Sequence, residues 1–173
     1  QSNASWLVLN AEFALVQHEG TPHVLHVTGL HQARLLEQLK HTPCPWDARP
    51  LLVPVTMELS SEQLIKLKSY QDILDTYGMR FECLDNKNIC IRTIPCALPG
   101  LDLHALFSEV SALDAQGMQH ARDWVSTLVH AEKLCISSML SDEQAELLEY
   151  WKKHKHMSFC LGVADCRKVL SYA

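Results

Sequence analysis

Between Trp6 and Val16 apolar and polar positions alternate with period two. Leu7, Leu9, Ala11, Phe13 and Leu15 fall on one face, with Trp6, Val8, Asn10, Glu12, Ala14 and Val16 on the other, which predicts one long strand. Its second face carries Trp6, Val8 and Val16, a hint that both sides are covered. Gly20-Thr21-Pro22 then turns the chain into a second strand running from His23 to Val27, so a hairpin opens the fold. Leu30, Ala33, Leu36 and Leu39 recur at helical spacing and predict an amphipathic helix that stops before Thr42-Pro43. In Cys44-Pro45-Trp46-Asp47-Ala48-Arg49-Pro50 breakers crowd together without periodicity, which marks a boundary between subdomains.

Beyond that boundary Leu51 to Leu59 reads as a strand, and Pro54 confines it to a sheet edge or to a register in which its nitrogen faces away. Ser60-x-x-Gln63 is a capping box that opens a helix with Leu64, Leu67, Leu74 and Tyr77 on one stripe, Ile73 beside it, and Gly78 as its C-terminal cap. Met79, Phe81 and Cys83, the turn Asp85-Asn86-Lys87-Asn88, and Ile89 to Ile94 predict a second hairpin. Two helices follow, Asp102 to Leu113 and Met118 to Val129, the latter with Met118, Ala121, Val125 and Leu128 aligned. Ser141-x-x-Gln144 is a second capping box, leading through Leu147, Leu148 and Trp151 to the basic run Lys152-Lys153-His154-Lys155-His156. A helical tail, Ala164 to Leu170, closes the chain. The fold class is α+β.

At 173 residues and 47% apolar content the chain can bury a real core. No apolar run reaches the roughly 18 residues needed to span a bilayer, and no charged-then-apolar leader opens the sequence. Gln1-Ser2-Asn3-Ala4 is expected to be the scar of a cleaved affinity tag, making the rest an excised domain. The net charge of -5 argues against tight autonomous binding to DNA, although the ten histidines add positive charge below about pH 6.5. The seven cysteines, Cys44, Cys83, Cys90, Cys96, Cys135, Cys160 and Cys166, suggest no disulfide framework and suit a reducing cytoplasm.

Candidate chemistry is sparse. His23-x-x-His26 puts two imidazoles on opposite sides of a strand, where they cannot share an ion. His154-x-His156 with Cys160 and Cys166 has no recognised zinc spacing, and cations at a helix C-terminus complement its dipole. The sequence contains no G-x-S-x-G elbow, no P-loop and no G-x-G-x-x-G. The carboxylates Asp142-Glu143 and Glu146-Glu149 fit the solvated first turns of a helix.

Arg49-Pro50-Leu51-Leu52-Val53-Pro54, the capped helix after Ser60, Gly78-Met79-Arg80-Phe81-Glu82 and Ile91-Arg92-Thr93-Ile94-Pro95 match the order "P-L-L-I-P", helix, "G-h-x-F" and "h-x-h-R-x-h-P", where h is apolar. In this the chain resembles the C-terminal dimerisation domain of the DNA mismatch repair protein MutL. The opening hairpin running into Leu35-Leu36-Glu37-Gln38-Leu39 fits the same pattern. The resemblance implies an outer dimerisation subdomain, residues 5–46 and 131–173, with an inner α/β subdomain, residues 47–130, inserted between. It implies a homodimer that holds two ATPase-bearing chains together on DNA. Partners implied for the full-length protein are the sliding clamp, MutS, MutH and a repair helicase.

Many members of the family carry a metal-dependent nicking site marked by D-Q-H-A-x-x-E-x-x-x-x-E and C-P-H-G-R-P. Here the corresponding stretches read His26-Val27-Thr28-Gly29-Leu30-His31-Gln32-Ala33-Arg34-Leu35-Leu36-Glu37 and Cys160-Leu161-Gly162-Val163-Ala164-Asp165-Cys166-Arg167. The chain therefore resembles the type that delegates cutting to MutH, with no catalytic, cofactor or metal residue of its own. The alternatives are a nuclease with altered ligands at His26, His31, Glu37, Cys160 and Cys166, or an unrelated α+β binding module. The dimer is expected to bury Leu7, Leu9, Phe13, Leu147 and Trp151. Arg49 to Pro54 is the expected sliding-clamp docking segment, with Arg49 where the family often has Gln. A guanidinium cannot copy the acceptor side of that amide. The competing reading is an edge strand packed by Leu51 and Val53.

Overall fold

The computed structural model describes residues 6–112 and 121–154. The chain separates into two compact units, one from Gln1–Leu35 with Leu134–Ala173 and one from Leu36–Lys133. Each combines helices with a three-stranded antiparallel sheet, so the fold is α+β. Gln1 to Ala4, expected as a tag scar, Met118, His156, the expected 164–170 tail, Cys160 and Cys166 lie outside the described residues.

In the first unit β1 (Trp6–Val8), β2 (Phe13–His18) and β3 (Thr21–His26) form a meander in the order β1-β2-β3. The single strand expected from the alternation is thus a hairpin, and Asn10 is the cause. Its side-chain oxygen accepts from the backbone N–H groups of Glu12 and Phe13, both at 2.9 Å, and so reverses the chain locally. The next turn falls earlier than expected, on Glu19 and Gly20, whose φ angles of 51° and 77° suit a two-residue hairpin loop. Pro22 is tolerated because β3 is an edge strand.

Helix α1 (Val27–Leu39) follows β3 directly. Gly29 in its first turn leaves room for the His26 ring, since a Cβ there would lie 2.6 Å from Nδ1 of His26 and the ring would have to shift. After a 3-10 turn at Ile136–Ser138 comes a later helix, Ser141–Lys153, whose N-cap is Leu140. The expected pairing of Ser141 with Gln144 is therefore off by one. The Glu143 carboxylate accepts from the Leu140 N–H at 2.8 Å, so an acid in the first turn satisfies that orphan donor. Ala14, Val16, Leu25 and Leu30 pack with Ile136, Leu147, Leu148 and Trp151 in one buried cluster. Each of the valine, leucine and isoleucine side chains contributes about 1.5–3 kcal/mol by leaving water.

The second unit orders its sheet β4-β6-β5, from β4 (Ala48–Glu58), β5 (Phe81–Cys83) and β6 (Asn88–Pro95). The capping box of α2 (Ser61–Ser69) is complete: Ser60 Oγ accepts from the Gln63 N–H at 3.2 Å and Gln63 Oε1 from the Ser60 N–H at 2.9 Å. The expected continuous helix breaks at Tyr70 (φ -102°, ψ 5°) before resuming as α3 (Gln71–Thr76). There the Ser69 hydroxyl donates to the Lys66 carbonyl at 2.6 Å and the Tyr70 N–H reaches back to Leu67, so local bonds compete with the α-helical ladder. The expected stripe survives the break, with Leu64, Leu67, Leu74 and Tyr77 all buried. Gly78, at φ +82°, terminates it. Helices α4 (Leu103–Ala112) and α5 (Ala121–His130) complete the unit, and Phe107 of α4 meets Phe81 edge to face at 5.8 Å. In chain order Ser141–Lys153 is α6.

Candidate association and docking surfaces

The register of the first sheet sorts its side chains by face, because directly paired residues project to the same side. Ala14 pairs with Val8 and Leu25, and Val16 with Trp6 and His23; this side carries the buried residues of the core. The opposite side holds Leu7 paired with Leu15, Leu15 with Val24, and Phe13 with His26. Leu7 is 58% exposed, Leu15, Val24 and Phe13 are half-buried, and the His26 ring stacks on Phe13 at 4.9 Å. This sheet therefore presents a contiguous apolar face away from its own core.

Of the residues expected at a dimer interface, Leu7 and Phe13 lie on that face. Leu9 does not: it sits in the β1–β2 turn, where its N–H donates to the Phe13 carbonyl at 2.9 Å. Leu147 and Trp151 are 1% and 3% exposed inside the unit's own core. Their helical stripe reads the same whether it packs within a chain or between chains, which is why the pattern alone placed them at an interface. Trp151 instead meets His23 at 5.0 Å and His18 at 5.5 Å, a cluster with no signal in the sequence because it depends on the hairpin register.

In the second unit β4 pairs with β6 at both ends but not between. Pro50 opposes Thr93 and Val55 opposes Ile91, so residues 51–54 face a single residue of β6, Arg92. The surplus bulges out. Leu52 and Val53 stand free of the sheet, at 102% and 78% exposure, so the reading in which Val53 packs the strand is incorrect. Pro50 and Pro54 bracket the bulge on an edge strand, where a missing N–H costs no ladder bond. The Arg49 guanidinium turns back to the body of the unit and donates through Nη2 to the Pro99 carbonyl at 3.1 Å.

Close to Arg49 lies a group the sequence reading missed. Glu132 is 7% exposed; its Oε1 accepts from the Gly100 N–H at 2.9 Å, while the buried Oε2 has no hydrogen-bond partner among the described residues. Burial raises its carboxyl above the usual range, opposed by the Gly100 bond and the Arg49 charge. The available signal was register: Val125, Leu128, Val129 and Glu132 fall at i, i+3, i+4 and i+7, which places the acid on a buried stripe.

Among the described residues no group of three or more His, Cys, Asp or Glu side chains is placed to hold a metal. His26 lies against Phe13 and the first turn of α1. His31 is held below its ordinary value by burial and then by Arg34, with Glu143 opposing. Glu37 is exposed near the other end of α1. Cys135 is exposed, and hydrogen bonds from Ser137 and Ser138 lower its thiol to about 7. No helix among the described residues is long and apolar enough to cross a membrane.

An α+β chain with an apolar sheet face and a bulged edge strand fits an assembly module, and comparison with known sequences specifies which. The profile of the MutL C terminal dimerisation domain matches residues 6–138, and the chain belongs to that family. It is similar to proteins named DNA mismatch repair protein MutL from Salmonella schwarzengrund (strain CVM19633) and Salmonella agona (strain SL483), at 28% identity over 131 residues, 72% of this chain and 21% of each relative. The chain thus spans about a fifth of the length of these curated relatives.

Proposed function

We propose that this chain is the homodimerising and partner-docking module of a MutL-type mismatch repair protein, and that it holds together two longer chains, each with an ATPase domain, on DNA. The observation that carries the reading is the outward face of the first sheet, where Leu7, Leu15, Val24 and Phe13 expose apolar surface that a second copy would bury. Interfaces of permanent homodimers resemble a domain core cut in half, and this face has that composition. Molar mass by light scattering over a dilution series is the test. The unmodified chain should be dimeric at micromolar concentration, and Leu7→Glu should be monomeric with unchanged circular dichroism, because association would bury an unpaired charge. A fully dimeric Leu7→Glu assigns the interface to another surface.

The bulge at residues 51–54 supports a second role for the same module. Two bare aliphatic side chains, Leu52 and Val53, fit insertion into an apolar groove, the mode by which a sliding clamp would take this segment. Titration with sliding clamp should show weak binding that Leu52→Ala abolishes. MutS, MutH and the repair helicase would be met by the full-length protein. Cutting is left to another protein, and DNA is held weakly or not at all by this part alone. Supercoiled plasmid with manganese should stay intact, and nicking lost in Glu37→Ala would support the nuclease alternative instead.

A further inference from the structure

We propose that Arg49 is a positioning residue for the docking segment: its guanidinium, bound to the Pro99 carbonyl, latches the leading end of the bulge so that Leu52 and Val53 stand clear. This rests on the docking reading above. A bulge projects reproducibly only if both of its ends are fixed. The trailing end is fixed by the ladder, where Val55, Thr56 and Met57 pair with Ile91, Cys90 and Ile89. At the leading end Ala48, Arg49 and Pro50 lie opposite Pro95, Ile94 and Thr93, extended by the Cys96 N–H donating to the Asp47 carbonyl at 2.8 Å, but Pro50, next to the bulge, donates nothing. The Arg49 Nη2 bond to Pro99, at 3.1 Å, supplies a further tether there.

The loop that receives the tether is itself held. The Gly100 N–H donates to Glu132 Oε1 at 2.9 Å, the Lys133 N–H donates to the Gly100 carbonyl at 3.0 Å, and the Asp102 N–H donates to the Ala131 carbonyl at 2.9 Å. Lys133 Nζ closes the set on Asp102 at 2.7 Å. Gly100 admits no side chain, since a Cβ would lie 2.6 Å from the Lys133 carbonyl oxygen. Glu132 Oε2 has no hydrogen-bond partner among the described residues, and burial raises the carboxyl against the opposing Gly100 bond and, after it, the Arg49 charge. Arg49 is itself exposed, with its Nη2 committed to the Pro99 carbonyl.

The two roles predict opposite outcomes for Arg49→Gln. If position 49 reads the partner as an amide, Gln should tighten clamp binding. If Arg49 is a latch, Gln, whose shorter side chain falls short of the Pro99 carbonyl, should weaken binding as Arg49→Ala does, while Arg49→Lys, which keeps a donor at closer to the same reach, restores part of it. The independent readout is 15N relaxation of the Leu52 and Val53 amides in the full 173-residue chain. Arg49→Ala should lower their order parameters while leaving the circular dichroism at 25 °C and the molar mass unchanged. Unchanged order parameters, or a Gln variant that binds as well as the unmodified chain or better, would overturn the latch. Should the unmodified chain not bind clamp at all, the docking reading falls, and the order parameters alone then decide the latch.

Discussion

Leu7 and Leu147 are the same residue type in two different situations, and truncating each separates packing within a chain from packing between chains. Leu147 is 1% exposed and belongs to the cluster formed with Ala14, Val16, Leu25 and Trp151. Leu147→Ala removes about three methylene equivalents worth roughly 0.8 kcal/mol each and leaves a cavity, for a total of about 2–5 kcal/mol. In a chain of this size, 3 kcal/mol lowers the melting temperature by roughly 6–12 °C. Leu7 is 58% exposed, so less than half of its side chain leaves water on folding, and Leu7→Ala should cost the isolated chain about 1 kcal/mol or less. In the dimer the order should reverse if, as proposed, Leu7 contributes to association while Leu147 acts only through the fold. Urea unfolding followed by circular dichroism in the dilute monomer measures the first effect, and sedimentation across concentrations the second. A Leu147→Ala cost under about 1 kcal/mol, or a Leu7→Ala cost in the monomer that matches it, would refute the assignment of faces.

Glu132→Gln should stabilise the chain at pH 7: with the folded carboxyl raised by burial, its stabilising contribution is complete below the unfolded value and is lost as pH rises through the folded one. Denaturant midpoints of the two proteins should converge below about the ordinary carboxyl value of 4.5. Gly100→Ala should lose about 1–3 kcal/mol in the same assay, since the added methyl meets backbone at the Lys133 carbonyl and not a movable side chain. Cys135 should react with iodoacetamide at a rate that rises with a midpoint near pH 7, and Ser137→Ala should move that midpoint upward, read by peptide mass mapping.

Features carried by a few adjacent residues could be read from the sequence alone. The Ser60 to Gln63 capping box, the Gly78 cap and the stripe of Leu64, Leu67, Leu74 and Tyr77 each follow from spacing within one or two turns, and the structure shows them as expected. Misreadings arose where two local rules compete. Alternation through residues 6–16 is compatible with one strand, but it does not weigh an Asn10 side chain able to cap two backbone donors. Ser141 has the composition of an N-cap, yet Glu143 reaches the N–H one residue earlier. The sites are harder still. An apolar stripe such as Leu147 and Trp151 does not say whether a core or a partner covers it, and the bulge at residues 51–54 follows from a register offset against β6 that no single segment encodes. Residues from distant segments, Arg49 with Pro99 and Glu132, come together only through the fold.

The order of the segments has an energetic consequence for the module. The first unit takes its core from both ends of the chain: Leu25 and Leu30 come from one segment, Leu147 and Trp151 from another, with roughly a hundred residues between them. Bringing the ends of an unstructured loop of that length together costs about 4 kcal/mol in its length-dependent part, from (3/2)RT ln n. That cost is comparable to one large core contact, so the two segments on their own are a weak unit. The intervening Leu36–Lys133 has its own sheet, helices and buried residues, and it folds from contiguous sequence. Once it is formed, the separation between its ends is fixed by structure and no longer by chain statistics, and most of the closure cost of the first unit has already been met. The association face itself lies on the local meander of residues 6–26, but the core that backs it draws on segments this far apart and is completed most cheaply once the inserted unit is in place. A face held rigid only when its backing core is complete presents a fixed surface for less time to wrong partners during folding, which suits a surface proposed to pair with an identical copy.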